Sequence, residues 1–245
     1  MVSNLRSRYE DDGYVIIDLM GVDSEIDEVA RYCESIKKER VIDDYKNCEA
    51  VCKLAFNRQV MDVLFGLYDA EPFPFQVLSF PDSPSQDVHS DQIHFSSIPF
   101  GHMAGAWLAL ADVELDMGPL FVVRGSHKLP HVYSGDLGLS VAKDLGSWQK
   151  NLPAFSRHWE GIIREGRLLR SPLLLRRGQV AIWASNLLHG SFKKLGGARR
   201  LSQVTHYFFR GFKYCTPGMS DFESGDVMFR RPFELLEYAR GIGLA

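Results

Sequence analysis

Apolar residues recur at helical spacing through much of the first 70 residues. In DSEIDEVARYCESIKKE they fall at Ile26, Val29, Ala30, Cys33 and Ile36, and acids precede lysines, as a helix dipole favours. The segment EAVCKLAFNRQVMDVLFGLYDA predicts another helix, with a core-facing stripe of Val51, Leu54, Ala55, Val60 and Leu64. A shorter helix, NLRSRYEDDG, is expected to end at Gly13 and to lead into a brief strand, YVIID.

From residue 73 the pattern changes to short β-branched and aromatic runs bounded by Gly, Pro, Asp and Ser. These runs predict strands in FPFQVLSF, HMAGAWLALADV, GPLFVVRGS, SPLLLRRGQVAIWA and RRLSQVTHYFF. Residues 131–170 have weak periodicity and contain Trp148 and Trp159, which predicts a long insertion with some helix, either a lid or a surface helix.

This order of elements predicts a mainly β chain with flanking helices, an α+β fold. We expect one domain over residues 1–245. In it, residues 1–72 form a mainly helical buttress, residues 73–130 and 171–212 form the strands of a sandwich or barrel, and residues 131–170 form the insertion.

The composition narrows the function classes. The 245 residues are 45% hydrophobic and 24% charged with a net charge of −3, so no basic surface favours nucleic acid. No apolar run approaches the roughly 20 residues of a membrane span, and MVSNLRSRYEDDGYV has no signal-peptide core, so we expect a cytoplasmic protein that does not bind membranes. Cys33, Cys48, Cys52 and Cys215 have no partners at zinc-site spacing and are expected to be free, partly buried thiols.

The stretch HSDQIHF contains the first candidate chemistry. On a strand, His89 and Asp91 would leave the same face, and an imidazole with a carboxylate can bind one cation. His189, which follows the strand-like run AIWA, is the best candidate for a third ligand. Two imidazoles and one carboxylate on one face of a metal leave open positions, the arrangement of non-haem Fe(II) oxygenases.

An anchor for a second carboxylate follows in the sequence. Arg200 comes eleven residues after His189, and a planar guanidinium can bind a carboxylate bidentately. Ser191 would share a face with His189 in an extended segment and could donate a further hydrogen bond. Arg199 is the alternative anchor if the register differs, because only one of the two arginines can enter the barrel.

These residues lie in motifs that resemble the phytanoyl-CoA dioxygenase (PhyH-like) family of Fe(II)/2-oxoglutarate-dependent oxygenases. The motifs are YEDDGYVII, DVHSDQIHF, AWLALADVELDMGPLFVVRGSHKLP, RRGQVAIWASNLLHGS and RRLSQVTHYF. They occur in the family's order from about residue 9 to residue 210, so the resemblance covers most of the chain.

The resemblance implies a double-stranded β-helix, or jelly-roll, core that binds iron and 2-oxoglutarate and reacts with O2. It implies iron at His89, Asp91 and His189. It implies 2-oxoglutarate contacts from Arg200, Ser191, Trp107 and, more weakly, Gln76.

The chain departs from the family pattern at two positions. Met117 stands where an Asn is usual, and His94 stands where an aromatic residue is frequent. We expect His94 and the adjacent Phe95 to contact substrate; the alternatives for His94 are that it replaces a metal ligand or packs under the loop. Related halogenases lack the carboxylate ligand, and the presence of Asp91 therefore favours hydroxylation or another oxidation over halogenation.

The expected function is hydroxylation of a small-molecule C–H bond with release of succinate and CO2. Alternatives are desaturation or cyclisation by the same kind of centre, or a non-catalytic metal- or ligand-binding jelly roll. His127 and His206 are expected to be structural, His206 in core or far-rim packing. The basic residues of the insertion hint at an anionic substrate; they are Lys143, Lys150, Arg157, His158 and Arg164. The sequence does not define the substrate or the oligomeric state.

Overall fold

The structure is a computed structural model, and it describes residues 2–245, with side chains described from residue 4. Its α-helices are α1 (Val2–Asp12), α2 (Asp23–Ser35), α3 (Glu49–Ala55), α4 (Arg58–Tyr68), α5 (Leu145–Glu165) and α6 (Glu234–Gly241). Short 3₁₀ turns lie between several of the strands.

Three antiparallel sheets form the β structure. The strands are β1 (Tyr14–Asp18), β2 (Val41–Ile42), β3 (Pro72–Phe80), β4 (Gln86–His89), β5 (Ser96–Ile98), β6 (Met103–Ala109), β7 (Leu120–Val123), β8 (Arg170–Pro172), β9 (Gln179–Ala184), β10 (His189–Ser191), β11 (Ser202–Phe209), β12 (Lys213–Cys215) and β13 (Phe229–Arg230). The large sheet has the order β1-β9-β6-β11-β3-β2, the second β4-β10-β7-β8, and the smallest β13-β12-β5.

The two faces of the large sheet have different partners. One face packs against α1–α4 in a cluster that contains Val51, Leu64, Val77 and Tyr207. Side chains of the opposite face pack in a second cluster with Val122 of β7, so the large and four-stranded sheets enclose a common interior. This is the expected α+β jelly-roll fold. The N-terminal helices have apolar residues at helical spacing because one side of each helix packs on the large sheet.

The predicted helix over residues 49–70 is wrong in one respect, because it is two helices. The side-chain oxygen of Asn57 accepts hydrogen bonds from the backbone N–H groups of Gln59 and Val60, which caps α4. All five residues of the predicted stripe are nonetheless buried. Similarly, α2 ends at Ser35, so the lysines that were expected in its last turn lie beyond it.

The insertion contains a longer helix than its weak periodicity suggested. Helix α5 has 21 residues, includes Pro153, and begins at a capping box between Asp144 and Ser147. Its buried residues, among them Trp148 and Trp159, pack in a cluster with Val88 of β4 and side chains of β7. The helix therefore covers the four-stranded sheet that carries His89 and His189.

Two expectations from composition can be compared with the structure. Within residues 2–245, no helix is both long and apolar enough to cross a membrane. All four cysteines are free, as expected, and they are fully rather than partly buried.

Candidate metal centre

His89 and His189 face each other across two neighbouring strands. They are register partners in β4 and β10, and their ring centroids are 4.2 Å apart. Nδ1 of His89 lies 2.9 Å from the Asp87 carbonyl, and Nδ1 of His189 lies 2.9 Å from the Leu187 carbonyl. Because a carbonyl only accepts, each Nδ1 carries a proton and Nε2 is the ring atom available to a metal; Nε2 of His89 also lies 3.2 Å from the Gln86 side-chain nitrogen.

Asp91 reaches the same point from a different local structure than expected. The prediction that it lies on the strand with His89 is wrong, since β4 ends at His89 and Asp91 begins a 3₁₀ turn. Ser90 between them remains extended, with φ −123° and ψ 132°, so the two side chains still emerge on one side. Oδ1 of Asp91 lies 3.7 Å from Nε2 of His89 and 3.7 Å from Nε2 of His189. One potential ligand atom from each residue lies within 4.8 Å of the others.

Two residues that sequence reasoning missed hold the other carboxylate oxygen. The indole N–H of Trp183 donates to Oδ2 of Asp91 at 2.9 Å, and Nε2 of His206 lies 3.6 Å from the same atom. His206 was expected in core or far-rim packing: it is buried in the core and is not one of the three ligand residues, but it lies beside Asp91 and not at the far rim. The Trp183 indole has room at this position because its register partner on β6 is Gly105. A Cβ atom at residue 105 would lie 2.4 Å from the indole.

Burial and neighbouring charge set the ionisation of the centre. Burial would raise the pKa of the Asp91 carboxyl, but His189 and His206 beside it outweigh that effect and hold its pKa below the ordinary range. Burial, together with the nearby His189, lowers the pKa of His89 to about 3. At neutral pH the site thus presents an anionic carboxylate and a neutral His89, the forms that bind a divalent cation.

Arg200 lies in the cavity that His89, Asp91 and His189 line. It is only 2% exposed, precedes β11, and donates one hydrogen bond to the Gly118 carbonyl at 2.7 Å. Its guanidinium carbon lies 5.5 Å from the centre of the Trp107 ring. Arg200 Nε and Trp107 Nε1 are both buried and have no hydrogen-bond partner within residues 2–245. Burial lowers the pKa of Arg200 to about 10, so it remains cationic at neutral pH.

Arg199 points elsewhere, as expected if one arginine enters the barrel. Its guanidinium donates to the Pro81 carbonyl and to carbonyls at the end of α2, including those of Cys33 and Ile36. The alternative assignment of Arg199 as the anchor is therefore wrong.

Ser191 and Gln76, two further expected cosubstrate contacts, have different positions. Ser191 lines the cavity, but its hydroxyl donates to the Pro84 carbonyl and accepts from the Gln86 backbone N–H, both at 2.8 Å. Gln76 does not line this cavity. Its Oε1 lies 3.1 Å from Nδ1 of His206, so it meets the metal residues only through that ring.

The expected substrate contacts, His94 and Phe95, lie close to the metal residues, and the backbone N–H of each donates to the Asp91 carbonyl at 2.9 Å. His94 accepts a hydrogen bond from the Trp148 indole at 3.2 Å. Phe95 lies 5.4 Å from the His206 ring centroid, and the Arg230 guanidinium lies 4.8 Å above Phe95. His127 is 3.0 Å from the Glu10 carbonyl and does not line the metal cavity, consistent with a structural role.

Gln86 is a further residue that the sequence reasoning overlooked. Its side-chain nitrogen lies 3.2 Å from Nε2 of His89. Its position three residues before His89 is the only sequence signal for it. For Trp183, the available signal is Gly105 within a strand, which indicates the close approach of another group.

Similar solved structures share this fold. The epimerase SnoN from nogalamycin biosynthesis, described as non-haem and α-ketoglutarate-dependent, aligns with 90% of this chain and 87% of its own, at 22% identity and a TM-score of 0.65. The α-ketoglutarate-dependent carbocyclase SnoK from the same biosynthesis aligns over 94% and 93%, at 17% identity and a TM-score of 0.65. EctD from S. alaskensis, solved with 2-oxoglutarate and 5-hydroxyectoine, aligns over 95% and 82%, at 15% identity and a TM-score of 0.67.

A search of curated proteins finds no match. The model of the phytanoyl-CoA dioxygenase family matches residues 35–202, which is more than half of the chain and includes all three candidate metal residues and Arg200. The chain belongs to the phytanoyl-CoA dioxygenase family, whose members are Fe(II)/2-oxoglutarate-dependent oxygenases.

Proposed function

We propose that this protein hydroxylates a C–H bond of a small molecule, with iron(II) held by His89, Asp91 and His189 and with 2-oxoglutarate and O2 as cosubstrates. The observation that carries the proposal is one cavity with two parts. One part is three converging metal-ligand atoms, and the other is the buried guanidinium of Arg200, whose one hydrogen bond within the described residues goes to the Gly118 carbonyl.

The donor set fits iron(II). Two imidazoles, each with Nε2 3.7 Å from Oδ1 of Asp91, and one carboxylate form a donor set of the facial type that leaves coordination positions free. Trp183 engages Oδ2 of Asp91, which leaves Oδ1 as the oxygen that faces the metal.

The far end of the cavity fits the distal carboxylate of 2-oxoglutarate. A carboxylate there would accept from the unpartnered Nε of Arg200 and would pair with a buried cation that otherwise donates only to the Gly118 carbonyl. Trp107 does not line the cavity, but its ring lies next to the Arg200 guanidinium and its indole N–H is unpartnered, so it is proposed as a neighbouring contact. Ser191 is proposed as a further contact, which requires its hydroxyl to turn away from Pro84.

When bound, iron and 2-oxoglutarate supply the oxidation: the substrate C–H, 2-oxoglutarate and O2 give the alcohol, succinate and CO2. This chain's residues orient the reactants and exclude water. Hydroxylation is favoured because Asp91 occupies the position that a halide would need. An epimerase and a carbocyclase share the fold, so placement of the substrate decides between hydroxylation and other oxidations.

The first experiment is anaerobic. We expect the protein with Fe(II) and 2-oxoglutarate to develop a metal-to-ligand charge-transfer absorption band. Arg200→Ala should weaken the band at a given 2-oxoglutarate concentration, and Arg199→Ala is the matched control because its guanidinium lies outside the cavity. A folded protein that forms no band would refute the proposal.

Turnover gives a second test that separates the enzyme from a non-catalytic binding protein. Alanine at His89, Asp91 or His189 should abolish succinate formation, and a loss of less than tenfold at any position would remove its assigned role. A wild-type protein that binds iron and 2-oxoglutarate but forms no succinate with any substrate would favour the binding protein.

We also propose that residues 1–245 act as a single domain. The helices of residues 1–72 pack on one face of the large sheet, and the opposite face carries Trp107 and Trp183.

A further inference from the structure

A second cleft lies between α5 and β4 and adjoins the metal cavity. It has a volume of about 230 Å³ and shares Gln86 and His89 with the cavity that contains Arg200. A molecule in this cleft would therefore lie beside a proposed iron ligand without occupying the site assigned to 2-oxoglutarate.

The walls of the cleft are mainly apolar. Helix α5 contributes one wall, and β4 with the turn that follows it contributes the other; the apolar side chains are Val88, Ile93, Leu152, Pro153 and Trp159. A carbon skeleton that enters between these walls removes apolar surface from water on both sides.

The charges around the cleft argue against an anionic substrate. Among the described residues that line it, none is Lys or Arg, and the one charged side chain is that of Asp87. The insertion's basic residues, which hinted at an anion, do not line the cleft, and Lys150 and Arg157 are exposed. A carboxylate or phosphate in the cleft would lose water without gaining a cationic partner.

His94 supplies one oriented hydrogen-bond donor. The Trp148 N–H donates to Nδ1 of His94, so Nδ1 carries the lone pair and the ring proton of the neutral form is on Nε2. Within residues 2–245 this Nε2–H has no hydrogen-bond partner, and His94 lines the cleft.

We infer that the cleft between α5 and β4 is the substrate site, and that its substrate is an uncharged, mainly apolar small molecule whose carbonyl, hydroxyl or ether oxygen accepts from Nε2 of His94. The inference rests on the proposed function, since it assigns the substrate of that oxygenase. It replaces the anionic substrate suggested by the composition of the insertion.

Three probes of one ring system test each part of the inference. They are 1-tetralone, which is neutral with an acceptor oxygen, tetralin, which lacks the oxygen, and tetralin-1-carboxylate, which is anionic. Binding is measured by equilibrium dialysis against the anaerobic protein loaded with Fe(II) and 2-oxoglutarate. Tetralone should bind about threefold to tenfold more tightly than tetralin, as expected for one hydrogen bond, and the carboxylate should bind most weakly.

Variants link the binding to the cleft. His94→Phe should remove the preference for tetralone over tetralin. Leu152→Trp should fill the cleft and weaken both neutral probes, and Ser156→Trp serves the same purpose if the first variant does not fold. Leu169→Trp is the matched control, because Leu169 is 80% exposed and does not line the cleft.

The outcomes separate this inference from the proposed function. If the charge-transfer band forms with Fe(II) and 2-oxoglutarate but no neutral probe binds, or the carboxylate binds best, the inference is overturned while the proposed function stands. A tetralone preference that survives His94→Phe overturns the role of His94, and binding unchanged in both cleft-filling variants overturns the location. If the band does not form at all, the proposed function fails first.

Discussion

The contact between Trp183 and Asp91 gives the sharpest prediction about the metal centre. Trp183→Phe keeps a large aromatic ring beside Gly105 but removes the N–H that donates to Oδ2 of Asp91 at 2.9 Å. The carboxylate of Asp91 is 5% exposed, so water does not readily replace the lost donor. We expect the variant to fold and to bind Fe(II) more weakly, because the carboxylate is no longer held with Oδ1 toward the two imidazoles.

The size of the effect follows from the charge of the acceptor. A hydrogen bond to a charged group contributes about 1.5–3 kcal/mol, and each ~1.4 kcal/mol changes an affinity tenfold. Loss of an outer-shell partner of a metal ligand typically reduces metal affinity about 10–100-fold. His206 still lies near Oδ2, so we expect a loss of about tenfold to 100-fold in Fe(II) affinity rather than complete loss.

The assay is an anaerobic Fe(II) titration followed by the charge-transfer band at saturating 2-oxoglutarate. Tyr207→Phe is the matched control, because it also removes a buried hydrogen bond, from the Tyr207 hydroxyl to the Ala55 carbonyl, but on the helix-covered face of the sheet. Tyr207→Phe should lower the melting temperature without changing Fe(II) affinity. A Trp183→Phe protein that binds Fe(II) within threefold of the wild type would refute the assigned role of the indole.

Three further predictions concern the surroundings of the site. Gly105→Ala should weaken Fe(II) binding and destabilise the fold by about 1–3 kcal/mol, because its Cβ would lie 2.4 Å from the Trp183 indole; chemical denaturation and Fe(II) titration measure the two effects, and an unchanged Fe(II) affinity would contradict the prediction. Arg199→Ala should lower the urea midpoint, since it removes hydrogen bonds to four carbonyls, yet leave 2-oxoglutarate affinity unchanged; a lower affinity would count against this separation of the two arginines. Burial raises the pKa of Cys33 to about 12 and also raises the pKa of the other three thiols, so few thiolates exist at pH 8. Ellman's reagent should therefore react with four thiols only after unfolding, and rapid reaction of the folded protein would show that these cysteines are accessible.

The sequence predicted best the site residues that are metal-binding or cationic and stand in otherwise apolar, strand-like segments. His89, Asp91 and His189 come together as expected, and Arg200 enters the cavity while Arg199 does not. The local reasoning was less accurate than its result, because Asp91 lies in a turn and shares the direction of His89 only through the extended Ser90.

The residues that sequence reasoning missed are defined by contacts across strands. The position of His206 beside Asp91 depends on how β11 lies relative to the turn after β4, and a distance along one strand does not contain that information. The role of Trp183 likewise depends on the register that places Gly105 opposite it. From sequence alone, a tryptophan in a strand is interpreted as an ordinary core residue, because its cross-strand partner is not known.

The fold errors have similar causes. The apolar stripe over residues 49–70 continues through a helix break because the apolar sides of α3 and α4 pack in one cluster with the large sheet. The local sequence signal for the break is the helix-capping residue Asn57. In α5, Pro153 and several charged residues obscure a periodicity that the buried Trp148, Phe155 and Trp159 nevertheless follow.

Helix α5 lies in the connection between β7 and β8, which are adjacent antiparallel strands. None of the candidate metal residues and neither arginine belongs to this connection, so one wall of the inferred substrate site is a module that begins and ends at neighbouring points of the scaffold. Such a segment can be lengthened, shortened or exchanged with little change in the strands that carry the chemistry. Substrate choice in this architecture can therefore diverge separately from oxidative chemistry, and grafting of a related connection between Val123 and Arg170 is a rational route to altered specificity.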